Sequence, residues 1–449
     1  MTRTLARQVP VEVAFLGLFE LLLSFLLIYA ALLTPVGTGI LDGAFSGDGA
    51  VVAAIMTVTM VSIAAVIGLY RPRVCLEAHH LVRYLTVAGL CAFPLLLLVA
   101  GALSLGFTPR EALGVASIVI VWLIAIFLSR IAFRLVAGKQ WLTRRVLVLG
   151  DNARATRLAA RLRKGPGRPF DVRLVAPGTP IPSLDSSREQ RIWAVIEAHE
   201  GRAGSAGQAT AEIADRGIRV FDEAGFSEQQ FGRLELDLLD PGTLRPAIAR
   251  NNTLRARIKT RIFDIVGCLS LLVLTLPVML VAALLVRLDS PGPVFYRQQR
   301  AGLNGRPFML IKFRSMVVDA EACGTARWAQ RRDPRITRVG AWIRPLRIDE
   351  LAQLLNVLRG EMSLIGPRPE RPVFVEQLAE VIPHYLERSV VKPGITGWAQ
   401  VNFPYGASVE DAREKLAYDL YYVKNRGLVL DLLILLSTVR VVLFREGAR

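Results

Sequence analysis

Cysteine is scarce in this chain of 449 residues: Cys75, Cys91, Cys268 and Cys323 are scattered, and three lie in or beside apolar runs. That spacing fits neither a disulfide framework nor a cysteine metal site. Lys and Arg are missing from the loop after the first apolar run, which carries Asp42 and Asp48 instead. No cleavable leader is expected, because that first run is too long and lacks a small-residue cleavage pattern. A second glycine is missing after Gly150, where Asp151 and Asn152 stand. A dinucleotide fingerprint wants a glycine there, and Asp151 would repel a pyrophosphate. A Tyr-x-x-x-Lys pair is missing too. These two gaps count against a membrane-tethered nucleotide-sugar oxidoreductase or dehydratase.

Apolar residues are plentiful: 52% of the chain, with a mean hydropathy of +0.40. Four runs approach or exceed the ~20 residues that cross a bilayer, at about Val11–Leu33, Ala50–Leu69, Leu81–Leu105 and Ala112–Val136. Glu12 and Glu20 weaken the first. Arg130 and Arg134, near the end of the fourth, are expected to snorkel to the interface. Arg3 and Arg7 precede the first run, Arg71, Arg73 and Arg83 flank the second loop, and Lys139, Arg144 and Arg145 follow the fourth run. The positive-inside rule then places both ends of this bundle in the cytoplasm. A fifth run, Ile262 to Val286, lies between Lys259 and Arg261 on one side and Arg287, Arg297 and Arg300 on the other, with Pro277 near its middle. Crossing would put a basic domain outside, against the charge rule. Proline removes a helix hydrogen bond. A re-entrant helix-break-helix broken at Pro277 satisfies both constraints; a fifth simple span is the alternative.

Residues 144–164 read as strand, glycine turn and amphipathic helix, the opening of a doubly wound fold. "DVRLVAP", "RIWAVIEA" and "GIRVFD" are further strands. An α/β domain follows, a structural or regulatory one given its poor fingerprint. From Asn251 to Arg347 there are 17 Lys and Arg against 5 acids, a block suited to nucleic acid, anionic lipid or a phosphorylated substrate. "PVFYRQQR" and "FMLIKFRSM" read as two strands, with Lys312 and Arg314 on one face of the second. With Arg297 and Arg300 nearby, a phosphate is a fitting anion.

"RPLRIDELAQLLNVLRGEMSLIGPRPE" then sets Asp349 and Glu350 at the start of a short amphipathic helix. Ile348, Leu351, Leu355 and Leu358 form its buried face; Asp349, Gln353 and Asn356 form a polar stripe. Acids at a helix start are often only stabilising, by roughly 0.3–1 kcal/mol. Arg344, Arg335 and Arg338 change that weighting. Positive charge and the helix N-terminus keep a carboxylate ionised, as a nucleophile requires. Two adjacent acids also suit Mg²⁺. Gly366-Pro367-Arg368-Pro369 makes a rigid turn that presents one guanidinium to a nucleotide phosphate or base edge.

"KFRSM", "IDELAQLLNVLRGEMSLIGPRPE" and "VKPGITGWAQVN" resemble the bacterial sugar transferases called polyprenyl-phosphate phosphoglycosyl transferases, over about residues 255–446. The four spans and a degenerate Rossmann-like domain resemble the large form of that family. "VNFPYGASVEDAREKLAYDLYYVKN" is similar to the branch associated with exosortase-linked exopolysaccharide clusters. The resemblance implies transfer of sugar-1-phosphate from a nucleotide-diphosphate sugar, a UDP-sugar by family habit, to undecaprenyl phosphate, releasing a nucleoside monophosphate. It makes Asp349 the nucleophile, Glu350 its assistant through Mg²⁺ or the lipid phosphate, Arg344 a phosphate ligand and Arg368 a nucleotide contact. The family pattern is broken at Arg347-Ile348, where Ser or Thr is frequent, at Ala352 after Asp-Glu-Leu, at Leu276 before Pro277, and at Phe403-Pro404 after Val401-Asn402.

The expected architecture is a membrane α-helical bundle (1–138), a Rossmann-like α/β domain (139–250), and a mixed α/β monotopic catalytic domain (251–449) with a re-entrant helix at about 262–286. "LVLDLLILLSTVRVVLF", interrupted by Asp431 and Arg440, is expected to lie as an amphipathic helix in the interface. Trp398, Tyr418, Tyr421 and Tyr422 suit either headgroups or core, and the lone His384 a structural role. The expected partners are undecaprenyl phosphate, the nucleotide sugar, inner-membrane lipids and downstream glycosyltransferases, with room for a homodimer and no nucleic acid. The catalytic domain is expected on the cytoplasmic face. A polysaccharide-export scaffold would leave residues 344–370 without purpose.

Overall fold

The computed structural model describes residues 11–34, 49–71, 74–75, 78–104, 109–142, 144–164, 170–176, 192–198, 213, 215, 217–318, 333–403, 406 and 408–444. Cys323, the loop acids Asp42 and Asp48, Arg3, Arg7 and Pro404 lie outside them. The chain divides into two compact units, 1–230 and 231–449.

The first unit begins with α1 (Val11–Leu32), α2 (Gly49–Ile67), α3 (Ala78–Ser104) and α4 (Pro109–Leu142), at the positions expected of the four spans. All four are long and apolar enough to cross a membrane. Small residues let them approach: Ala53, Ala64, Ala88 and Ala92 are all buried. Arg130 does not snorkel. It is fully buried and meets Glu20, also fully buried, with Nη2 donating to Oε2 at 2.9 Å. Ser129 donates to the other Glu20 oxygen at 2.7 Å, and Trp122 donates to Ser24 at 3.1 Å. Arg130 lies mid-face, where a paired acid is closer than water, so an internal ion pair replaces the expected excursion. Arg134 turns to the carbonyls of Cys75 and Val74.

The α/β part holds β1 (Arg144–Leu149), α5 (Ala153–Lys164), β2 (Phe170–Val175), β3 (Ile192–Glu197), β4 (Arg219–Asp222) and α6 (Glu223–Phe231). Its strands are parallel in the order β2-β1-β3-β4. Among the described strands the order turns back at β1, as in open parallel α/β sheets. The N-terminus of α5 is closed by its own side chain. Asn152 accepts from Ala155 N at 2.8 Å and donates to the Ala198 carbonyl at 3.0 Å. One of the first-turn N–H groups of α5 is therefore already taken by protein.

The second unit starts earlier than the sequence reading placed it. Leu234, Leu236, Leu244 and Ile248, from residues read as the end of the middle domain, lie in its core. They arrive through α7 (Pro241–Asn251) and the turn before it, and Leu234 N donates to the Ala417 carbonyl. Next come α8 (Leu254–Asp289), the antiparallel pair β5 (Phe295–Ala301) and β6 (Pro307–Phe313), α9 (Arg338–Ile343), a 3₁₀ turn at Ile348–Gln353, and α10 (Leu354–Arg359). After β7 (Ser363–Ile365), α11 (Pro372–Val381), β8 (Gly394–Thr396) and α12 (Trp398–Asn402), the chain closes on α13 (Val409–Asn425) and α14 (Leu428–Phe444).

The expected helix-break-helix is one helix of 36 residues that runs on through Pro277. A proline costs one backbone bond and kinks a helix without having to end it. One face of α8 packs on this unit along its length. Arg261 donates to the Val357 and Leu358 carbonyls, and Asp264 accepts from Ser363 and Leu364. Met279 and Val286 join Ile311, Phe313 and Ile343. At the far end Asp289 accepts from Val339 N at 2.9 Å. The opposite face is bare: Val273, Leu274, Leu280 and Leu284 are each more than half exposed.

In α14, Asp431 turns inward to the Tyr422 hydroxyl at 3.0 Å, and Leu430 and Ile434 enter the core. Leu428, Leu432, Val439 and Leu443 form an outer apolar stripe. Trp398, Tyr418, Tyr421 and Tyr422 are core residues, and the Trp398 indole donates to the Gly232 carbonyl.

Candidate active site

A cavity of about 820 Å³ opens in the second unit. Lys312, Arg314, Arg344, Asp349, Glu350 and Arg368 all line it, so residues spread over 57 positions of sequence converge as expected. Pro367 and Pro369 form the turn that carries Arg368, and Pro277 lies apart in α8.

Asp349 and Glu350 are 8% and 6% exposed. They stand on the 3₁₀ turn at Ile348–Gln353, ahead of α10, and not on an α-helical N-terminus. The turn is set by Arg347, whose φ of 58° and ψ of 18° lie in the left-handed region. A residue with a β-carbon enters that region only where its surroundings hold it there. The reversal delivers two successive carboxylates into one cavity. Below them, Asn356 is completely buried. It accepts from Ile311 N at 3.0 Å and donates to the Met309 carbonyl at 2.8 Å, docking β6 against the acids.

Three cations meet Glu350. Arg368 Nη2 donates to Oε1 at 2.9 Å and Lys312 Nζ at 3.2 Å, while Arg347 Nη1 is 3.3 Å from each oxygen. Burial pushes the Glu350 carboxyl up, but Arg368, Lys312 and Arg347 overcome this and hold it well below the usual carboxylate range. Asp349 goes the other way. Burial, joined by the Glu350 charge, pushes it up to about 6, against the pull of Lys312, Arg344 and Arg347. Its Oδ1 is buried and has no hydrogen-bond partner among the described residues. Burial thus works against the cations expected to keep it ionised. The result is one carboxylate fully engaged and its neighbour with a bare oxygen, an arrangement that separates a supporting acid from a nucleophile.

Arg314 serves differently from the expected phosphate ligand. Its Nη1 donates to the Pro291 carbonyl at 2.7 Å and its Nη2 to the Ser290 carbonyl at 2.7 Å, tying down the turn that leaves α8. No hydrogen bond is formed by the Arg344 side chain among the described residues. It faces the cavity near Asp349, available to an anion.

The Pro-Arg-Pro turn is pinned through its carbonyls. Pro367 accepts from Gly394 N at 2.9 Å, Arg368 from Arg388 Nη2 at 2.9 Å and Pro369 from Arg300 Nη1 at 3.2 Å. Arg388 is itself paired with buried Asp419 at 2.8 Å. Arg347, Arg388 and Asp419 escaped sequence reasoning. Arg347 stood three positions before Glu350, an ion-pair spacing that could have flagged it. Arg388 and Asp419 lie 31 residues apart and share no local pattern.

Among the described residues, no cluster of three or more His, Cys, Asp and Glu side chains could hold a metal ion. The site fits Mg²⁺ in another way. Glu350 is taken by three cations, so the Asp349 carboxylate is the one acid open to the ion, and a substrate's phosphates would supply most of the shell, as is usual for it.

A family model described as "Bacterial sugar transferase" matches residues 255–445. The chain is 46% identical over 232 residues to a UDP-N-acetylgalactosamine-undecaprenyl-phosphate N-acetylgalactosaminephosphotransferase of Aeromonas hydrophila, covering 52% of this chain and 54% of that one. It is 35% identical over 331 residues to an undecaprenyl-phosphate glucose phosphotransferase of Komagataeibacter xylinus, covering 68% and 60%. It is 41% identical over 216 residues to a UDP-glucose:undecaprenyl-phosphate glucose-1-phosphate transferase of Caulobacter vibrioides, covering 48% and 78%. The match thus spans a little over half the length of the first two relatives.

Proposed function

This chain belongs to the bacterial sugar transferase family, and from that membership and its site chemistry we propose that it loads undecaprenyl phosphate with sugar-1-phosphate from a UDP-sugar. One observation carries the reading: Asp349 presents a buried, unpartnered carboxylate oxygen to a cavity ringed by cations. In the first displacement that oxygen attacks the β-phosphorus. A carboxylate–phosphorus bond forms, the bond to the bridging oxygen breaks, and nucleoside monophosphate leaves with that oxygen. In the second, an oxygen of the lipid phosphate attacks the same phosphorus. Asp349 regains its electron pair, and a lipid diphosphate sugar is released.

The fixed charges suit both displacements. Negative charge on the phosphoryl oxygens is met by Arg344, Lys312 and Arg368, which are in place before reaction. Glu350 holds Lys312 and Arg368 on its own oxygens and so sets their positions. Mg²⁺, held mainly by the substrate phosphates beside Asp349 and Glu350, would neutralise further charge on the diphosphate. The product would start an exopolysaccharide or another surface glycan, at the cytoplasmic face of the inner membrane. The bonds from both ends of α8 to one unit support a helix that enters and leaves by the same face. Although α8 is long and apolar enough to cross a hydrocarbon core of about 30 Å, its polar anchors near both ends favour the re-entrant path.

The test is direct. The purified full chain, given Mg²⁺, undecaprenyl phosphate and a panel of UDP-sugars, should release nucleoside monophosphate. Mass spectrometry should find a sugar-phosphate adduct on Asp349 when the acceptor is withheld. Release of nucleoside diphosphate would overturn the reading in favour of ordinary glycosyl transfer.

A further inference from the structure

The cavity is unequal at its two ends. Phe313, beside Phe295, is buried; of the other large apolar and aromatic side chains that line it, Leu378, Tyr385 and Leu416 are buried, and Phe374 and Phe403 are half-buried. They close the end formed by α11, α12 and α13. The exposed ones gather at the other end: Phe295 and Tyr296 at 39% and 40%, Val317 at 48% and Val318 at 58%. One backbone bond links these two short segments: Arg314 N donates to the Val294 carbonyl, while Val317 N is held by the Arg335 carbonyl. Val318 lies against Gly292, in the turn that leaves α8. Apolar surface continues outward on α9. Trp342 is 76% exposed and Leu346, in the turn after that helix, 42%, and α9 is anchored to the end of α8 through Asp289.

We propose that Phe295, Val317 and Val318 form an acceptor lip, over which the first isoprene units of a polyprenyl phosphate pass from the bilayer while its phosphate reaches Arg344. The inference rests on the lipid-acceptor reading above and adds the route. A phosphate borne on a long hydrocarbon tail must come to Asp349 without drawing that tail through the cationic ring. The only cavity rim, among the described residues, that is both apolar and exposed lies at the foot of α8, whose bare face is itself lipid-like. The enclosed end is left to the nucleotide sugar; because each in-line displacement runs trans to Asp349, the acceptor oxygen enters where the nucleoside monophosphate has left, while its tail stays on the lip.

Two measurements on the full chain test the lip. First, a polyprenyl phosphate with a diazirine in its first isoprene unit is photolysed on the protein in detergent micelles. Labelling should fall on peptides holding residues 293–296 or 317–318, and labelling confined to α14 or to the enclosed end overturns the route. This readout needs no turnover, so it stands even where no nucleoside monophosphate is ever released and the proposed reaction itself fails. Second, Val318→Asp should raise KM for undecaprenyl phosphate about tenfold, the equivalent of ~1.4 kcal/mol. KM for the UDP-sugar should hold, and Val318→Leu should behave as the native chain. Equal rises in both KM values, or an unchanged acceptor KM with weakened vesicle binding, would reduce the lip to a structural or bilayer contact and sink the proposal.

Discussion

At the scale of single residues, the site depends on an asymmetry between two adjacent acids. Asp349→Asn keeps the shape and removes the negative oxygen. Nucleoside monophosphate release should fall at least ~10³-fold, as when other covalent nucleophiles are lost. Because the Asp349 carboxyl is pushed up to about 6, the ionised form is lost as pH falls through that value. Adduct formation should therefore drop with a limb near pH 6, while Glu350, held well below the usual range, stays ionised throughout. Arg347→Ala would move that limb up, since it removes one of the cations that lower the Asp349 carboxyl. Arg347→Gly would move it equally while relieving the left-handed backbone, and it should unfold at higher temperature than the alanine variant. Sequence alone placed the acids, Lys312 and Arg368 at the site. It could not assign Arg314, because nothing in "KFRSM" tells a phosphate ligand from a clasp on carbonyls 23 and 24 residues upstream. Nor could it see that Asn356, one member of an apparent polar stripe, is wholly buried between β6 and the acid turn. Asn356→Ala would orphan the Ile311 N–H and the Met309 carbonyl, at a cost of about 2–4 kcal/mol, seen as a fall in the melting midpoint.

At the scale of elements, α8 is the informative case. Its length, its apolar run and its basic flanks were all legible, and the charge rule already argued against a crossing. What composition does not disclose is whether a helix ends at an internal proline. That depends on whether neighbours support the helix on both sides, as Asp264 does before Pro277 and Met279 and Val286 after it. In a background stripped of native cysteines, Lys259→Cys and Leu288→Cys should react with a membrane-impermeant maleimide from the same side of inverted vesicles. Labelling from opposite sides would make α8 a spanning helix. Asp264→Ala would release β7 from α8 and should lower activity together with thermal stability.

At the scale of the whole molecule, the four spans, the α/β sheet and the transferase unit were readable because each follows a distinct hydrophobic period. The seam before α8 was not. Leu234, Leu236, Leu244 and Ile248 look like the tail of the preceding domain in sequence, yet they fill the core of the following one. A chain begun at residue 231 should therefore be clearly more stable than one begun at 255, although the family match starts only at 255. Burial of four aliphatic side chains is worth about 1.5–3 kcal/mol each. Proteolytic half-life in detergent would measure the difference.

The Glu20–Arg130 pair has a consequence for how the protein is made. The acid belongs to α1 and its partner to α4, made 110 residues later. Throughout that interval the nascent acid has no counter-charge, and oil is a poor resting place for it. Release of the first helix into lipid is thus coupled to synthesis of the last, so the four should leave the insertion machinery as a preassembled bundle and not one at a time.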